Sequence, residues 1–150
     1  MALDPRYYNL GARAALDALM AKLNVLNAHN GVIKIWTGAA PVTCETADSG
    51  TLLSTLGLSA TAFAASVDNS DGTGKATANA ITSDSNAAGT GTAGYFRAYA
   101  YDGTTYTCII QGTVGTATAD MILNTVSIVA ASTVAISSWT VAMPDGSTTD

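Results

Sequence analysis

The sequence has 150 residues, of which 11% are charged and 48% are hydrophobic, and its formal net charge at pH 7 is −5. This length fits one domain with a proper hydrophobic core, and a charged fraction below the usual value of about 25% leaves Thr, Ser, Asn and Gly to keep the surface polar. Binding to nucleic acid or to an anionic membrane relies on clustered Lys and Arg, but the six cations here are scattered along the sequence. We therefore expect neither as a partner.

The N-terminal region predicts one amphipathic helix within residues 9–28. Alanine fills much of this segment, and its apolar side chains follow the spacing of one helical face, with Leu16, Leu19, Met20 and Leu23 as the stripe. Such a helix either covers its own sheet or mediates oligomerisation, and the narrow stripe favours the second. Tyr7 and Tyr8, ahead of the helix, either anchor a partner or pack back on the domain.

After Gly31 the hydrophobic pattern changes to the period of two that is typical of strands. Turn-forming clusters separate the candidate strands, which are 31–37, 51–59, 60–66, 74–82, 93–103, 104–112, 119–128 and 132–144. Hairpins are expected at Asp102-Gly103 and near Ala130-Ala131. Many short strands without a second helix predict an antiparallel β-sandwich or a jelly-roll-like domain. The organisation is then an N-terminal arm and helix (1–30), a β-sandwich domain (31–144) and a flexible tail (145–150).

Gly89, Gly91 and Gly94 have the spacing of a dinucleotide-binding fingerprint. That motif works only between a buried strand and a helix N-terminus, which holds the pyrophosphate. Here a run of small polar residues precedes it, and the alternating segment 95–103 follows it. We therefore interpret these glycines as a loop that enters a strand.

The remaining chemistry-bearing residues predict no catalytic, cofactor-binding or metal site. His29 is the only histidine and falls at the predicted helix end, away from any candidate nucleophile. Cys44 and Cys108 are 64 positions apart without a companion ligand, so we expect two free thiols rather than a zinc site or a disulfide. The alternating pattern around Cys108 predicts that its side chain lies in the core. Cys44 lies in a predicted loop, so we expect its thiol to be the more reactive of the two. The chain is expected to be neither exported nor membrane-anchored.

Residues 31–144 resemble a family of small proteins that are encoded near the major capsid gene of tailed bacteriophages. The most specific matches are the segments GTAGYFR (91–97), GTVG (112–115) and LNTVSI (123–128). Members of this family look like head decoration, or capsid cement, proteins. The helix region is more variable, and Cys44 departs from the family's usual pattern, so the resemblance assigns the thiols no function.

The resemblance implies a non-enzymatic virion protein, made in the host bacterial cytoplasm, that binds the outer surface of the capsid and stabilises it. Its partners would be the major capsid protein and copies of itself, as a trimer or another small oligomer, and it would need no cofactor. The candidate oligomer or capsid contacts are Tyr7, Tyr8, Leu16, Leu19, Met20 and Leu23. A tail, connector or fibre protein, or a carbohydrate-binding β-sandwich module, are the alternatives.

Overall fold

The computed structural model describes residues 9–69 and 72–144. A helix, α1 (Asn9–Met20), continues into a 3₁₀ turn at Ala21–Leu23. The strands that follow are β1 (Val32–Thr37), β2 (Leu52–Leu58), β3 (Val67–Asp68), β4 (Thr73–Thr77), β5 (Ile81–Thr82), β6 (Gly91–Tyr101), β7 (Tyr106–Gly115), β8 (Met121–Leu123), β9 (Ser127–Ile128) and β10 (Ile136–Pro144). Tyr7, Tyr8 and the predicted tail 145–150 lie outside the described residues.

The strands form one curled sheet in the order β3-β4-β10-β8-β7-β6-β1-β2-β5, with β9 paired to β6. This confirms a mainly β fold of the sandwich or half-barrel kind with one N-terminal helix. The pairing is mixed rather than purely antiparallel, because β7 and β8 run parallel. In the short connection between these two strands, the Asp120 carboxylate accepts hydrogen bonds from the backbone N–H and the hydroxyl of Thr113, both at 2.8 Å, which hold the connection against β7.

Both predicted hairpin turns are confirmed. At the first, Gly103 adopts φ +98°, and Asp102 Oδ1 accepts the backbone N–H groups of Thr104 and Thr105. At the second, Ala131 has φ +66°, and the chain returns so that β10 pairs antiparallel with β8. A glycine at position 103 suits the turn because its left-handed conformation carries no side-chain penalty.

Three predicted strands differ in the structure. Segment 60–66 is not a strand, since it contributes only an isolated bridge between Phe63 and Ala78. Segment 74–82 contains the separate strands β4 and β5, and segment 119–128 contains β8 and β9. β9 pairs with the first residues of β6, on a different part of the sheet from β8.

The helix packs on its own sheet. Leu16, Met20 and Leu23 are buried and belong to the same hydrophobic core as the strand residues, and Leu19 packs against that core. The core also contains Ile33, Ile35, Leu53, Leu56, Phe63, Phe96, Met121, Leu123, Ile128 and Trp139. The α-helix ends earlier than predicted because Asn24 and Val25 bond to another segment: Asn24 Oδ1 accepts Ala62 N–H, and Val25 N–H donates to Ala60 O.

Candidate functional site

The three glycines of the fingerprint spacing lead into a strand. β6 begins at Gly91, and Gly94 lies within it. A Cβ at position 94 would lie 1.9 Å from the carbonyl oxygen of Gly38, so glycine is needed there to let two backbone segments approach. The motif therefore serves packing, and the helix N-terminus that a pyrophosphate needs does not follow it.

The side of β6 and β7 that faces away from the core carries a polar and aromatic cluster. Tyr95, Arg97 and Tyr99 alternate along β6, and Arg97 lies opposite Gln111 on β7. A β-bulge follows, because the register shifts between Ala98 and Tyr99, and Tyr99 then lies opposite Cys108. Gln111 and Cys108 are an odd number of residues apart, so a regular strand would direct them to opposite faces. The bulge brings both to the same face.

The loop of residues 39–50 lies over this face and is held there by Arg97. The guanidinium donates to the carbonyl oxygens of Thr43 and Thr46, each at 2.8 Å, and to Asp48 Oδ1 at 2.7 Å. Its Nε donates to Gln111 Oε1 at 2.9 Å. Only 2% of the Arg97 side chain is exposed, so the loop buries a charge that an uncovered strand face would leave in water.

Burial disfavours the charged form of Arg97, but its interactions with Asp48 and Tyr99 outweigh burial and raise the pKa of Arg97 above its already high ordinary value. The hydroxyl of Tyr99 donates a short hydrogen bond to the same Asp48 oxygen. Burial, together with that bond, raises the pKa of Tyr99 well above its usual range. The site therefore holds a cationic Arg97 and a neutral Tyr99 on one carboxylate at neutral pH. Such a set binds and positions a backbone loop.

Two further side chains fix the ends of the 39–50 loop. The Gln111 amide donates to Pro41 O at 2.6 Å. Tyr95 donates its hydroxyl to Ser49 O at 2.7 Å and accepts from Ser49 N–H at 3.1 Å. Beside the Pro41 anchor, Val42 is 94% exposed. We call residues 39–42 the loop tip. Because its neighbours are tied down, this valine is presented by a fixed backbone.

The two cysteines meet beneath the loop. Cys44 lies between the carbonyls that Arg97 binds, and its Sγ is 2.7 Å from Cys108 Sγ. Both thiols are half-buried and are present as free cysteines. Their separation of 64 positions gave no hint of this contact. The prediction that Cys108 lies in the core is wrong, because the bulge turns its side chain to the loop side.

Aromatic side chains continue the same face towards the β6–β7 turn. Tyr101 and Tyr106 stack with centroids 4.3 Å apart, and Lys34 Nζ lies 3.7 Å from the centroid of Tyr106. Tyr106 therefore contacts both a stacked ring and an ammonium group, while 42% of it remains exposed. His29 packs edge-on against Tyr101. A sugar ring that stacked on Tyr106, as in a carbohydrate-binding module, would compete with its contacts to Tyr101 and Lys34.

Of the sequence-predicted contact residues, the four that the structure describes are not gathered at this site: Leu16, Leu19, Met20 and Leu23. The structure places Leu16, Met20 and Leu23 inside the chain's own core, so their expected role as an exposed partner surface is not met. Leu19 is partly buried against that core. The helix therefore has the predicted apolar stripe, and this stripe packs on the sheet of the same chain.

Arg97 is the residue that sequence reasoning missed. The sequence shows only that Arg97 lies between two tyrosines in an alternating strand. That pattern is equally typical of a strand face exposed to solvent.

The described residues include no group of three or more His, Cys, Asp or Glu that could hold a metal ion. A cleft of about 450 Å³ lies between β7 and β10 and is lined by Phe96, Ile110, Asp120 and Trp139 among others. Its carboxylate already accepts two hydrogen bonds from Thr113. Across residues 9–69 and 72–144, no helix is long and apolar enough to cross a membrane.

Comparisons of the chain with protein-family models, with curated proteins and with solved structures found no match.

Proposed function

We propose that the chain is a non-enzymatic virion structural protein that binds the outer surface of a phage capsid and stabilises it. The proposal begins from the resemblance of residues 31–144 to head decoration proteins. The observation that carries it further is the 39–50 loop, whose backbone is fixed at Pro41, Thr43 and Thr46 while its tip carries an exposed Val42.

A fixed apolar tip suits lasting contact with another protein. A flexible loop loses conformational freedom when it binds, and that loss weakens the complex. Here the hydrogen bonds of Arg97 and Gln111 order the loop before any partner arrives. Ala39 and Ala40 are exposed beside Val42, which makes the tip apolar over several residues. The apolar surface offered to the capsid is therefore small and preformed, and the exposed Glu45 lies three residues beyond Val42.

The repeated sites of a capsid shell suit a protein with such a small contact surface. A capsid repeats the same site many times, so a symmetric oligomer can engage several copies together, and weak single contacts become sufficient. We propose a trimer or another small oligomer, with the major capsid protein as partner. Since the tip contributes no charge, binding should depend less on ionic strength than a complex between oppositely charged surfaces.

Sedimentation with expanded capsid shells that lack this protein tests the proposal. Wild-type protein should pellet with the shells at low and at high salt, in a fixed number of copies. V42D places a charge in the apolar contact and should reduce the bound copies about tenfold. V129D is the matched control, because Val129 is also exposed, at 56%, but lies in the turn before β10.

Equal binding by V42D and the wild type would exclude the loop tip as the contact. Absence of the protein from purified virions, or a position on the tail alone in a cryo-EM map, would overturn the decoration role. Circular dichroism and thermal unfolding of both variants establish that a loss of binding reflects the surface rather than the fold.

A further inference from the structure

Cys44 and Cys108 are arranged for covalent bonding to each other. Their Sγ atoms are 2.7 Å apart, and a disulfide bond is about 2.05 Å long, so a shift of about 0.7 Å would bring them to bonding distance. The two residues belong to different parts of the fold, one to the 39–50 loop and the other to β7. A bond between them would fasten the loop covalently to the sheet.

The approach of the two thiols follows from the surrounding hydrogen bonds. Arg97 binds the carbonyl oxygen of Thr43, next to Cys44, and that of Thr46, two residues beyond it. On the sheet side, the β-bulge between Ile110 and Cys108 directs the Cys108 thiol to the loop. Both sulfurs are thus positioned by groups other than themselves. Such positioning raises the rate of an intramolecular step by making the reacting groups permanent neighbours.

We propose that Cys44 and Cys108 are a site of oxidative modification that forms an intramolecular disulfide by exchange with a low-molecular-weight disulfide, and that this bond locks the 39–50 loop onto the sheet. In a reducing compartment the pair remains as thiols, and the hydrogen bonds of Arg97 alone hold the loop. In an oxidising medium the covalent bond is added. The chemistry of the pair is independent of the partner that the loop binds.

The exchange has two steps. The Cys44 thiolate attacks one sulfur of the small disulfide, forms a mixed disulfide and releases the first small thiolate. The Cys108 thiolate then attacks Cys44 Sγ, forms the Cys44–Cys108 bond and releases the second small thiolate. Overall, the two protein thiols lose two electrons and two protons, and the small disulfide is reduced to two thiols.

Cys44 acts first because Cys108 is held in its protonated form. Burial, with the hydrogen bond to Cys44 and the charge of Cys44, raises the pKa of Cys108 to about 12. The thiolate is the attacking species, so a thiol with such a pKa reacts slowly at neutral pH. Once Cys44 has become a mixed disulfide, its contributions to that shift disappear, while the nearby Arg97 charge still favours the Cys108 thiolate.

Oxidised glutathione with the reduced, purified full chain provides the test. The expected product is a monomer whose intact mass has decreased by two hydrogen atoms, and whose non-reduced peptide map contains a Cys44–Cys108 linkage. C108S should instead accumulate one glutathione adduct at Cys44, because the second step has no nucleophile. C44S should react more slowly, since burial still disfavours the Cys108 thiolate after the contributions of Cys44 are removed.

Thermal unfolding then tests the lock. A bond that spans 64 positions restricts the unfolded chain, so the oxidised protein should melt about 5–10 °C above the reduced protein. The C44S/C108S double variant should melt like the reduced wild type with and without glutathione.

Three results would overturn the inference. They are glutathione adducts on both cysteines without a cross-link, disulfide-linked dimers as the main product, and no reaction at all. A cross-linked monomer with an unchanged melting temperature would overturn the locking role. Comparison of the double variant with the reduced wild type separates these results from a loss of folding.

Discussion

Arg97 and Gln111 are cross-strand neighbours that together bind one loop. Arg97 Nε donates to Gln111 Oε1 at 2.9 Å, and between them the two side chains donate to three carbonyl oxygens of the 39–50 loop, those of Pro41, Thr43 and Thr46. One pair of residues on the sheet thereby holds a segment that lies 51 to 70 positions earlier in the sequence.

Replacing Arg97 should detach this loop. R97M removes the charge that pairs with Asp48, which keeps its hydrogen bond from Tyr99, and it leaves two loop carbonyls without their Arg97 donor. We therefore expect a loss of about 3 kcal/mol in the free energy of unfolding. Urea denaturation measures it. R97K keeps the charge but not the fork that reaches both carbonyls and Asp48, and should recover only part of the loss. K22M, at an exposed cation, is the control and should change stability by less than about 0.5 kcal/mol. Equal effects of R97M and K22M would refute the role of Arg97.

The helix should be required for the stability of the sheet. Leu16 is 0% exposed and belongs to the common core, so L16A should lower the free energy of unfolding by about 3 kcal/mol. Leu10 lies on the same helix but is 60% exposed, and L10A should cost less than about 0.5 kcal/mol. Thermal unfolding with light scattering checks both variants. If L16A remained as stable as L10A and changed only the oligomeric state, the stripe would be a partner surface after all.

The sequence predicted the strands better than it predicted the site. β1, β2, β6, β7 and β10 were recognised because alternation and turn residues are local signals. Arg97 and Thr43, by contrast, are 54 positions apart, and the cysteines are 64 apart. A single sequence has no local pattern for such contacts. The β-bulge that positions Cys108 could not be predicted for the same reason. One extra residue in a strand reverses the side of the sheet on which every later residue of that strand lies.

The helix shows a different limit. Its apolar stripe predicted that Leu16, Met20 and Leu23 would be buried, but periodicity describes a face and not the surface that covers it. The covering surface depends on strands that come much later in the chain.

Acid should weaken the fold through Asp84. Burial opposes ionisation of this carboxylate, but hydrogen bonds from the Asn86 N–H, the Ser54 hydroxyl and the Thr55 N–H lower its pKa below the ordinary 3.8. Because the pKa is lower in the folded state than in the unfolded chain, the stabilisation is fully present above about pH 5 and is lost as the pH falls through the folded-state pKa.

D84N should cost about 1–2 kcal/mol at pH 7, and the difference between D84N and the wild type should shrink by pH 3. Urea denaturation midpoints at the two pH values measure this. S54A removes one of the three donors and should lower the stability at pH 7 by a smaller amount in the same direction. A difference between D84N and the wild type that stayed constant from pH 7 to pH 3 would show that ionisation of Asp84 contributes nothing.

Substitution of Gly94 in the glycine motif should impair backbone packing and not the binding of a ligand. A Cβ at position 94 would lie 1.9 Å from Gly38 O and 2.8 Å from Gly38 C, and both are backbone atoms that cannot rotate away. G94A must therefore push β6 away from the backbone at Gly38, and we expect a loss of at least about 3 kcal/mol or an insoluble product. Gly57 is the matched control in β2, because the nearest atom to its added Cβ is 3.9 Å away. G57A should be neutral or stabilise slightly, since alanine loses less backbone freedom on folding than glycine.

Denaturant unfolding of the two variants, with nucleotide added to the wild type as a third sample, distinguishes the two interpretations of the motif. A shift of the wild-type midpoint by NAD, or a G94A variant as stable as G57A, would contradict the packing role.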